Sequence, residues 1–360
     1  MKTYRVAIIG TGAIAETHVL ALRAAGPRIE LVAAVDTDPA RLQSFSDRHV
    51  ISYSYTDSAE MLTKTHPDLV FIVAPPATHL PLTLQCLEAG AWVNCEKPLC
   101  ASLAEFDQIE AAEARSGCYV SAILQWRFGS AAQHVKKLIE SGELGRPLVG
   151  VCQTLWYRDA AYYRVPWRGR WSSEFGGPTL TLGIHLMDLY LWLIGDWQMV
   201  RAIAATLDRA IEMEDVSMAL LRFENGSMGT ITNSALSPRQ ETYLRLDFQR
   251  ASIELSALYN YGNAQWRYSL PDALRDQDVL ARWQSLEDDR PGNHTSQVAA
   301  LLDSMDKRER PLVSGDEARR IMEFIASLYK SAFTGQTVQR GSITPDDPFY
   351  HAMNGATINQ

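Results

Sequence analysis

A glycine-rich turn near the start of the chain has the residue types and spacing that hold a pyrophosphate. Gly10, Gly12 and Ala15 form the pattern GxGxxA between a short apolar run and an amphipathic stretch. Glycine permits the tight turn and a close approach of backbone to phosphate, and the small Ala15 lets helix and strand pack closely. Backbone N–H groups at the start of the helix then face the anion. The residues expected to contact a dinucleotide here are Gly10, Thr11, Gly12, Ala13 and Ile14.

An acidic residue stands where such a site needs one. Asp36 lies 24 residues after Gly12 at the end of the next apolar run, where a carboxylate accepts hydrogen bonds from the ribose hydroxyls. The alternative is a turn or capping residue before Pro39. A carboxylate here would repel the 2′-phosphate of NADP, and the nearest cation downstream is Arg41. The pattern therefore predicts NAD rather than NADP as the cofactor.

The sequence Glu96-Lys97-Pro98 follows another apolar run. Ligands bind at the carboxyl edge of a parallel sheet, which is where this turn would lie. An ammonium group there can donate a hydrogen bond to an alcohol oxygen and stabilise negative charge that develops on it. The alternative is a solvated lysine in a turn at a strand end, and the residues alone leave both interpretations open.

A histidine opens an apolar helical stretch in the second half of the chain. His185 and Asp188 lie three residues apart, so they share one face of that helix. An imidazole titrates near neutral pH and suits proton transfer from a secondary alcohol. On the residues alone, however, a satisfied core histidine is the favoured interpretation.

Aromatic and arginine side chains alternate between residues 156 and 171, with Trp167 and Arg168 among them. Aromatic faces suit sugar rings and guanidinium groups suit anions, so the stretch could line a pocket. The same composition is also typical of a subunit interface. The two interpretations are equally compatible with the sequence, and the pocket would imply a substrate with a carboxylate or phosphate.

Short apolar runs alternate with amphipathic stretches through residues 1–125. The expected buried strands are 4–9, 31–35, 69–73, 91–94 and 119–124, and the expected helices are 14–25, 39–48, 79–89 and 103–116. This repetition implies right-handed crossovers and a doubly wound parallel sheet. Residues 1–125 are therefore predicted to form a dinucleotide-binding Rossmann domain that carries the glycine-rich turn.

The pattern changes after a helix expected at 131–140. Strand-like segments follow at 149–157, 199–207, 216–223, 227–233, 243–248 and 251–255. Asn225-Gly226 between two of these segments is a strong hairpin signal. A succession of strands with few intervening helices predicts a mostly antiparallel sheet. The last helices, expected at 296–305 and 316–332, should pack back against the core.

Composition excludes several classes of partner. The formal net charge of −8 disfavours nucleic acid and anionic membrane surfaces. The chain has no apolar run of 18 residues and no signal-peptide pattern, so we expect no membrane span and a cytoplasmic location. Five scattered cysteines without a CxxC pair predict reduced thiols and no metal site.

Several short motifs, in this order and spacing, resemble those of the Gfo/Idh/MocA family, which is named after glucose–fructose oxidoreductase and inositol dehydrogenase. They extend over nearly the whole chain. The matching segments are 10–15 (GTGAIA), Asp36, 75–79 (PPATH), 96–98 (EKP), Arg127-Phe128, 183–188 (GIHLMD) and 331–335 (SAFTG).

The resemblance implies a Rossmann domain and, in residues 126–360, an α/β domain with an open, mostly antiparallel sheet for substrate binding and oligomerisation. A homodimer or homotetramer through that sheet is expected. The implied catalytic residues are Lys97, which hydrogen-bonds the reacting oxygen, and His185, which takes the proton. Glu96 would lie near the cofactor ribose, and the residues implied on the nicotinamide side are Pro75, Pro76 and His79. The expected substrate-binding residues are Lys97, Arg127, Trp167, Arg168, Thr181, His185 and Asp188.

One position departs from the family pattern. Many members carry an aspartate four residues before the histidine, where this chain has Thr181. A threonine can form a hydrogen bond to the imidazole but supplies no charge.

The resemblance implies an NAD-dependent oxidoreductase that transfers a hydride between nicotinamide and a secondary alcohol of a sugar, polyol or sugar acid. Two alternatives are an enzyme that uses NAD transiently, such as an epimerase or glycoside-cleaving enzyme, and a non-enzymatic regulator that binds a dinucleotide. The presence of both Lys97 and His185 disfavours the regulator.

Overall fold

The computed structural model describes residues 2–274 and 276–356. The chain divides into two compact units. The first contains the chain up to Ile123 together with His294–Arg320, and the second contains Leu124–Asn293 together with the chain from Ile321 onward. The functional division expected at residue 125, with substrate binding and oligomerisation assigned to residues 126–360, stays a prediction.

The first unit is built on a six-stranded sheet. Its strands are β1 (Tyr4–Ile9), β2 (Ile29–Val35), β3 (Tyr53–Tyr55), β4 (Leu69–Ile72), β5 (Trp92–Cys95) and β6 (Val120–Ala122). The helices that connect them are α1 (Ala13–Ala24), α2 (Pro39–His49), α3 (Ser58–Thr65), α4 (His79–Glu88) and α5 (Leu103–Ser116). The strand order is β3-β2-β1-β4-β5-β6 and the pairings are parallel. This is the doubly wound Rossmann order, which confirms the predicted fold.

Two elements of this unit were missed in the sequence. Strand β3 is three residues long and lies at the sheet edge, where two of its residues are exposed, so it carries no apolar run. Helix α3 is short and begins at the capping residue Asp57, whose side chain accepts the N–H of Glu60. The other strands were predicted because burial on both faces makes them apolar throughout.

The second unit contains an eight-stranded sheet. Its strands are β7 (Pro147–Tyr157), β8 (Trp197–Ala205), β9 (Val216–Phe223), β10 (Met228–Ser234), β11 (Leu236–Phe248), β12 (Ser252–Ala257), β13 (Trp266–Ser269) and β14 (Val338–Gln339). Its helices before residue 290 are α6 (Ser130–Glu140), α7 (Trp171–Glu174), α8 (Pro178–Thr181), α9 (Ile184–Ile194) and α10 (Gln277–Gln284). The strand order is β13-β12-β11-β7-β10-β9-β8-β14. Strands β7 and β10 pair in parallel and the others antiparallel, which confirms a mostly antiparallel sheet.

Helix α9 packs on this sheet through a tyrosine that covers two glycines. Gly150 of β7 and Gly229 of β10 are register partners. A Cβ atom at either position would lie 2.0 Å from the hydroxyl oxygen of Tyr190, which is fully buried. The absence of side chains at these two positions therefore lets α9 lie close to the sheet, which fixes the helix that carries His185.

Three helices complete the chain: α11 (His294–Lys307), α12 (Asp316–Thr334) and α13 (Pro348–His351). Helix α11 belongs to the first unit, where Val298, Leu301 and Leu302 join Val19 and Leu22 in one buried cluster. The five cysteines are free thiols. Within the described residues, no helix has the length and apolar character needed to span a bilayer.

Candidate active site

The glycine-rich turn of the first unit has the geometry that the sequence indicated. Gly10 has a φ of +97°, and a Cβ there would lie 2.7 Å from the carbonyl atoms of Val73, so a larger residue would be excluded. Gly12 is the N-cap of α1 without a side-chain capping bond, and a Cβ there would meet no atom within 4 Å. The backbone N–H groups that open α1 therefore border unfilled space. Such a cradle fits the pyrophosphate of NAD.

Asp36 directly follows the last residue of β2, and its carboxylate accepts several hydrogen bonds. It accepts the backbone N–H of Thr11 at 2.8 Å, the hydroxyl of Thr11 at 2.7 Å and the N–H of Asp38 at 2.9 Å. Arg41 adds a two-point ion pair with N–O distances of 2.9 and 2.6 Å. Burial alone would raise the pKa of Asp36, but these donors outweigh it and hold the pKa well below its usual range.

Arg41 contacts the carboxylate of Asp36 directly. The sequence presented it only as the nearest cation downstream of Asp36, whereas the first turn of α2 brings its guanidinium onto the carboxylate. Its side chain is half exposed, and Asp36 is buried. The carboxylate expected to hold the ribose is therefore shared with a cation, which bears on how the site separates NAD from NADP.

Lys97 is partly exposed in the first unit, whereas residues 93–96 and 98–100 on either side of it are buried. It follows β5 at the carboxyl edge of the parallel sheet, as expected. Its backbone N–H donates to the carboxylate of Glu96 at 3.1 Å. Within residues 93–100, Lys97 is thus the partly exposed residue. A group that contacts substrate must be accessible in this way.

The carboxylate of Glu96 contacts two histidines of the first unit. Its Oε1 atom lies 2.8 Å from Nε2 of His18 and 3.9 Å from Nε2 of His294. The three side chains offer donor atoms that a metal ion could use, although 2.8 Å is a direct hydrogen-bond distance. The expected role of Glu96 at the cofactor ribose stays a prediction.

The pKa values of Glu96 and His294 are both shifted downward in this cluster. Burial alone would raise the pKa of Glu96, but the hydrogen bond with His18 and the nearby positive charges hold it well below its usual range. Burial and the neighbouring His18 lower the pKa of His294 to about 4. His294 is therefore neutral at physiological pH, beside an ionised carboxylate.

The segment expected on the nicotinamide side is only partly accessible. Pro75 is exposed, but Pro76 and His79 are buried. The ring nitrogens of His79 lie 2.7 Å from the carbonyl oxygen of Pro98 and 2.9 Å from that of Ala74. Burial lowers the pKa of His79, and its ring joins the loops that carry Ala74 and Pro98. The expected contact of His79 with the cofactor stays a prediction.

His185 is the partly exposed residue of α9. Each of the other ten residues of that helix is buried. A satisfied core histidine, which the residues alone favoured, would be enclosed as its neighbours are. The position of this imidazole on an otherwise buried helix is therefore the one expected of a functional group.

The turn before His185 is fixed by a buried acid. Glu214 accepts the backbone N–H of Gly177 and of Thr179, each at 3.1 Å, and the hydroxyl of Tyr329 at 2.9 Å. Burial raises the pKa of Glu214 despite these bonds. Thr181 donates its hydroxyl to the carbonyl oxygen of Gly177 at 2.8 Å. Thr181, which stands where many family members have an aspartate, thus forms a hydrogen bond with the residue that caps its own helix, α8.

Arg127 and Asp188 form an ion pair inside the second unit. Arg127 lies in a 3₁₀ turn (Gln125–Phe128), and its Nε donates to the carboxylate of Asp188 at 2.7 Å in a two-point ion pair. Both side chains are fully buried. The two charges thus satisfy each other inside the protein, and the expected contacts of this pair with substrate stay a prediction.

Arg168 and Trp167 form a packed cluster. The guanidinium of Arg168 lies 4.3 Å from the ring centre of Trp167 and 3.9 Å from that of Tyr162. It also pairs with the buried carboxylate of Glu174 at 3.1 Å. The charge of Arg168 is therefore balanced within the protein, and its expected contact with substrate, like that of Trp167, stays a prediction.

Comparison with known proteins agrees with this architecture. Residues 4–123 match the family model described as "Oxidoreductase family, NAD-binding Rossmann fold". Residues 132–254 match the model described as the GFO/IDH/MocA C-terminal domain. The two matches together cover more than half of the chain, and each lies mainly within one of the two units.

Curated relatives and solved structures give the same result. The chain is 26% identical to the D-apiose dehydrogenase of Paraburkholderia graminis, over 100% of this chain and 96% of that protein. It is 24% identical to the D-glucoside 3-dehydrogenase of Escherichia coli, over 93% and 97%. The WlbA dehydrogenase of Bordetella pertussis, crystallised with NADH and UDP-GlcNAcA, has a TM-score of 0.81 and 25% identity, over 94% and 99%. This chain belongs to the Gfo/Idh/MocA family and is an NAD-dependent oxidoreductase.

Proposed function

We propose that the protein oxidises a secondary alcohol of a sugar or polyol, with Lys97 and His185 as the catalytic residues. Among its relatives are dehydrogenases named for D-apiose, D-glucosides and myo-inositol. The observation that carries the assignment of residues is the exposure of these two side chains. Each residue is partly exposed within a run of buried residues, at the position that the family motif indicates.

The two side chains have complementary chemistry. The ammonium group of Lys97 donates a hydrogen bond to the alcohol oxygen and stabilises the negative charge that develops there. The imidazole of His185 accepts the hydroxyl proton. Bound NAD supplies the hydride acceptor. Thr181 carries no charge, so in this chain His185 works without an aspartate at the family position.

Residues around the cofactor position it rather than react. The open backbone N–H groups at Gly12 hold the pyrophosphate, and Asp36 binds the ribose hydroxyls next to the adenine. Thr11, Ala13 and Ile14 of the glycine-rich turn also contact the dinucleotide. Glu96, anchored by His18, fixes the turn that carries Lys97.

The enzyme also assembles as a homodimer or homotetramer through the sheet of the second unit. The face of that sheet opposite α9 presents Ile203, Met218, Leu220 and Met228, each about half exposed or more. Ile203 and Met218 are direct register partners on β8 and β9. An apolar surface of this kind on adjacent strands is typical of a protein interface. We further propose a cytoplasmic location.

A substrate screen tests the proposed activity. The purified protein is incubated with NAD and with polyols, neutral aldoses, glycosides and sugar acids, and reduced nicotinamide is followed by its absorbance. We expect steady reduction of NAD with at least one sugar alcohol. Conversion of a sugar without net NADH would indicate transient redox chemistry, and tight NAD binding without any conversion would contradict an enzymatic role.

A further inference from the structure

Arg158 follows β7 in the second unit and is enclosed by aromatic rings. Its guanidinium carbon lies 5.0 Å from the ring centre of Trp156, 5.2 Å from that of Tyr162 and 5.9 Å from that of Tyr259. Such contacts fix the direction of a guanidinium without neutralising it. The side chain is partly buried, so its group is oriented and still reaches solvent.

The charge of Arg158 has no counter-ion in the described part of the chain. Its neighbour Arg168 pairs with Glu174, and Arg209 pairs with Asp208, but no described carboxylate lies within ion-pair distance of Arg158. The adjacent Asp159 instead accepts the backbone N–H of Tyr162 at 2.9 Å. A partly buried cation of this kind attracts an anion from solvent.

The guanidinium of Arg158 also keeps some N–H donors that no protein group accepts. One N–H donates to the carbonyl oxygen of Tyr157 at 2.9 Å, and a side-chain hydrogen bond joins the guanidinium to Tyr162. Within the described residues its Nε is buried without a partner, so the donors left for a ligand are those of the terminal nitrogens. A guanidinium has five N–H donors in a planar fork that matches a carboxylate. The unused donors therefore favour a planar, two-point acceptor.

Arg158 is connected within the second unit to the segment that carries His185. The ring of Trp156, against which the guanidinium lies, packs with Leu182 and Ala235 in one buried cluster. Leu182 precedes His185 by three residues and follows Thr181 directly. The backbone N–H of Arg158 also donates to the carbonyl oxygen of Ala235 at 2.8 Å. The tryptophan on which the guanidinium of Arg158 lies thus packs against the segment that leads into α9.

We propose that Arg158 binds the carboxylate of the substrate and that the enzyme acts preferentially on sugar acids rather than on neutral sugars. This inference rests on the proposed function and names the substrate class for the same site. The guanidinium would hold the carboxylate through two parallel hydrogen bonds. Tyr259, which is half exposed, offers a flat face on which the apolar side of the sugar ring packs.

The test compares charged and neutral substrates on the full-length protein with NAD. D-glucuronate and D-galacturonate are measured beside D-glucose, D-galactose and glucuronamide, which keeps the shape of glucuronate without its charge. We expect kcat/KM to be at least about tenfold higher for a uronate than for its neutral counterpart, mainly through KM. Glucose 6-phosphate is included, and an equal preference for it would overturn the carboxylate as the recognised group.

Variants then assign the preference to one side chain. Arg158→Gln should remove the preference for the uronate. Arg158→Lys should retain part of it, because lysine keeps the positive charge but lacks the planar guanidinium. Arg164→Gln removes the same charge from an exposed arginine of the same loop and should leave the preference intact. Because Arg158 contributes to packing, the melting temperature and NAD affinity of each variant are measured as well.

The two proposals fail in different ways. Oxidation of neutral sugars at rates equal to those of uronates would overturn the inference and leave the proposed function in place. Equal effects of Arg158→Gln and Arg164→Gln would also overturn it, and if Arg158→Gln does not fold, the comparison of glucuronate with glucuronamide on the wild-type protein decides. Absence of NAD reduction with every alcohol would overturn the proposed function itself.

Discussion

Arg127 and Asp188 form a two-point ion pair with both side chains fully buried in the second unit. The pair joins the turn Gln125–Phe128 to α9, three residues after His185. Two charges removed from water are stable only while each satisfies the other. We therefore expect the position of α9, the helix that carries His185, to depend on this contact.

Removal of one partner should be costly. Asp188→Leu leaves a buried guanidinium uncompensated and should lower the free energy of unfolding by about 3–5 kcal/mol, whereas the double variant with Arg127→Met should recover much of it. Urea denaturation measures both. The exposed pair of Arg239 and Glu241 is the control, and Arg239→Ala should cost about 1 kcal/mol or less. Similar small losses at both pairs would show that the buried pair is not needed.

Lys97 should be required for turnover but not for cofactor binding. Lys97→Ala removes the donor to the alcohol oxygen, so kcat should fall by about 10²–10⁴-fold while the NAD dissociation constant changes little. Steady-state kinetics and fluorescence titration with NADH give the two values. Lys64→Ala, at an exposed lysine of the same unit, should behave as the wild type. Wild-type rates in Lys97→Ala would remove this residue from the mechanism.

The pair of Asp36 and Arg41 should control the choice between NAD and NADP. Asp36→Ala should weaken NAD by about tenfold or more, because charged hydrogen bonds to the ribose are lost. It should also improve NADP, since Arg41 is released from its ion pair and can face the 2′-phosphate. The double variant Asp36→Ala/Arg41→Ala should lose that improvement. Dissociation constants that keep the wild-type NAD/NADP ratio would contradict this assignment.

Acid should destabilise the first unit through His294. The unfolded chain binds a proton near pH 6.5, whereas the folded protein resists protonation of this imidazole until about pH 4. Acidification therefore favours the unfolded state, and the contribution of His294 to stability is lost as the pH falls through this window. The loss should be on the order of 3 kcal/mol.

His294→Asn should accordingly flatten the dependence of unfolding free energy on pH between about 6.5 and 4. Urea titrations across this range measure it. His66→Asn, at an exposed histidine with a φ of +42° that asparagine tolerates, serves as the matched control. An identical slope in wild type and His294→Asn would exclude this residue as the source.

The apolar sheet face should mediate assembly. Leu220→Lys places a charge in the middle of β9 on the exposed face and should convert the oligomer to smaller species. Light scattering coupled to size-exclusion chromatography measures the mass. Leu20→Lys adds the same charge at an exposed leucine of the first unit and should have no such effect. A monomeric wild-type protein would reject the proposed interface.

The sequence by itself determined the architecture of the first unit and the chemistry of its loop. Strands β1 and β2 are short apolar runs, and Gly10 and Gly12 follow β1 at the spacing that a dinucleotide requires. These signals are local: burial of a strand on both faces favours apolar residues, and the φ of +97° at Gly10 favours glycine. The hairpin at Asn225-Gly226 was predictable for the same reason, and Gly226 has a φ of +84°.

Only the tertiary structure decided which side chains satisfy one another. Arg127 meets Asp188, and Glu96 meets His18 and His294, across long separations along the chain. The closeness of Gly150 and Gly229 beneath one tyrosine ring is likewise a property of strand register. Such pairings leave no periodic trace in the sequence, because either partner alone is compatible with many surroundings. The free energy of a buried charge depends on the group that faces it, and folding alone determines that group.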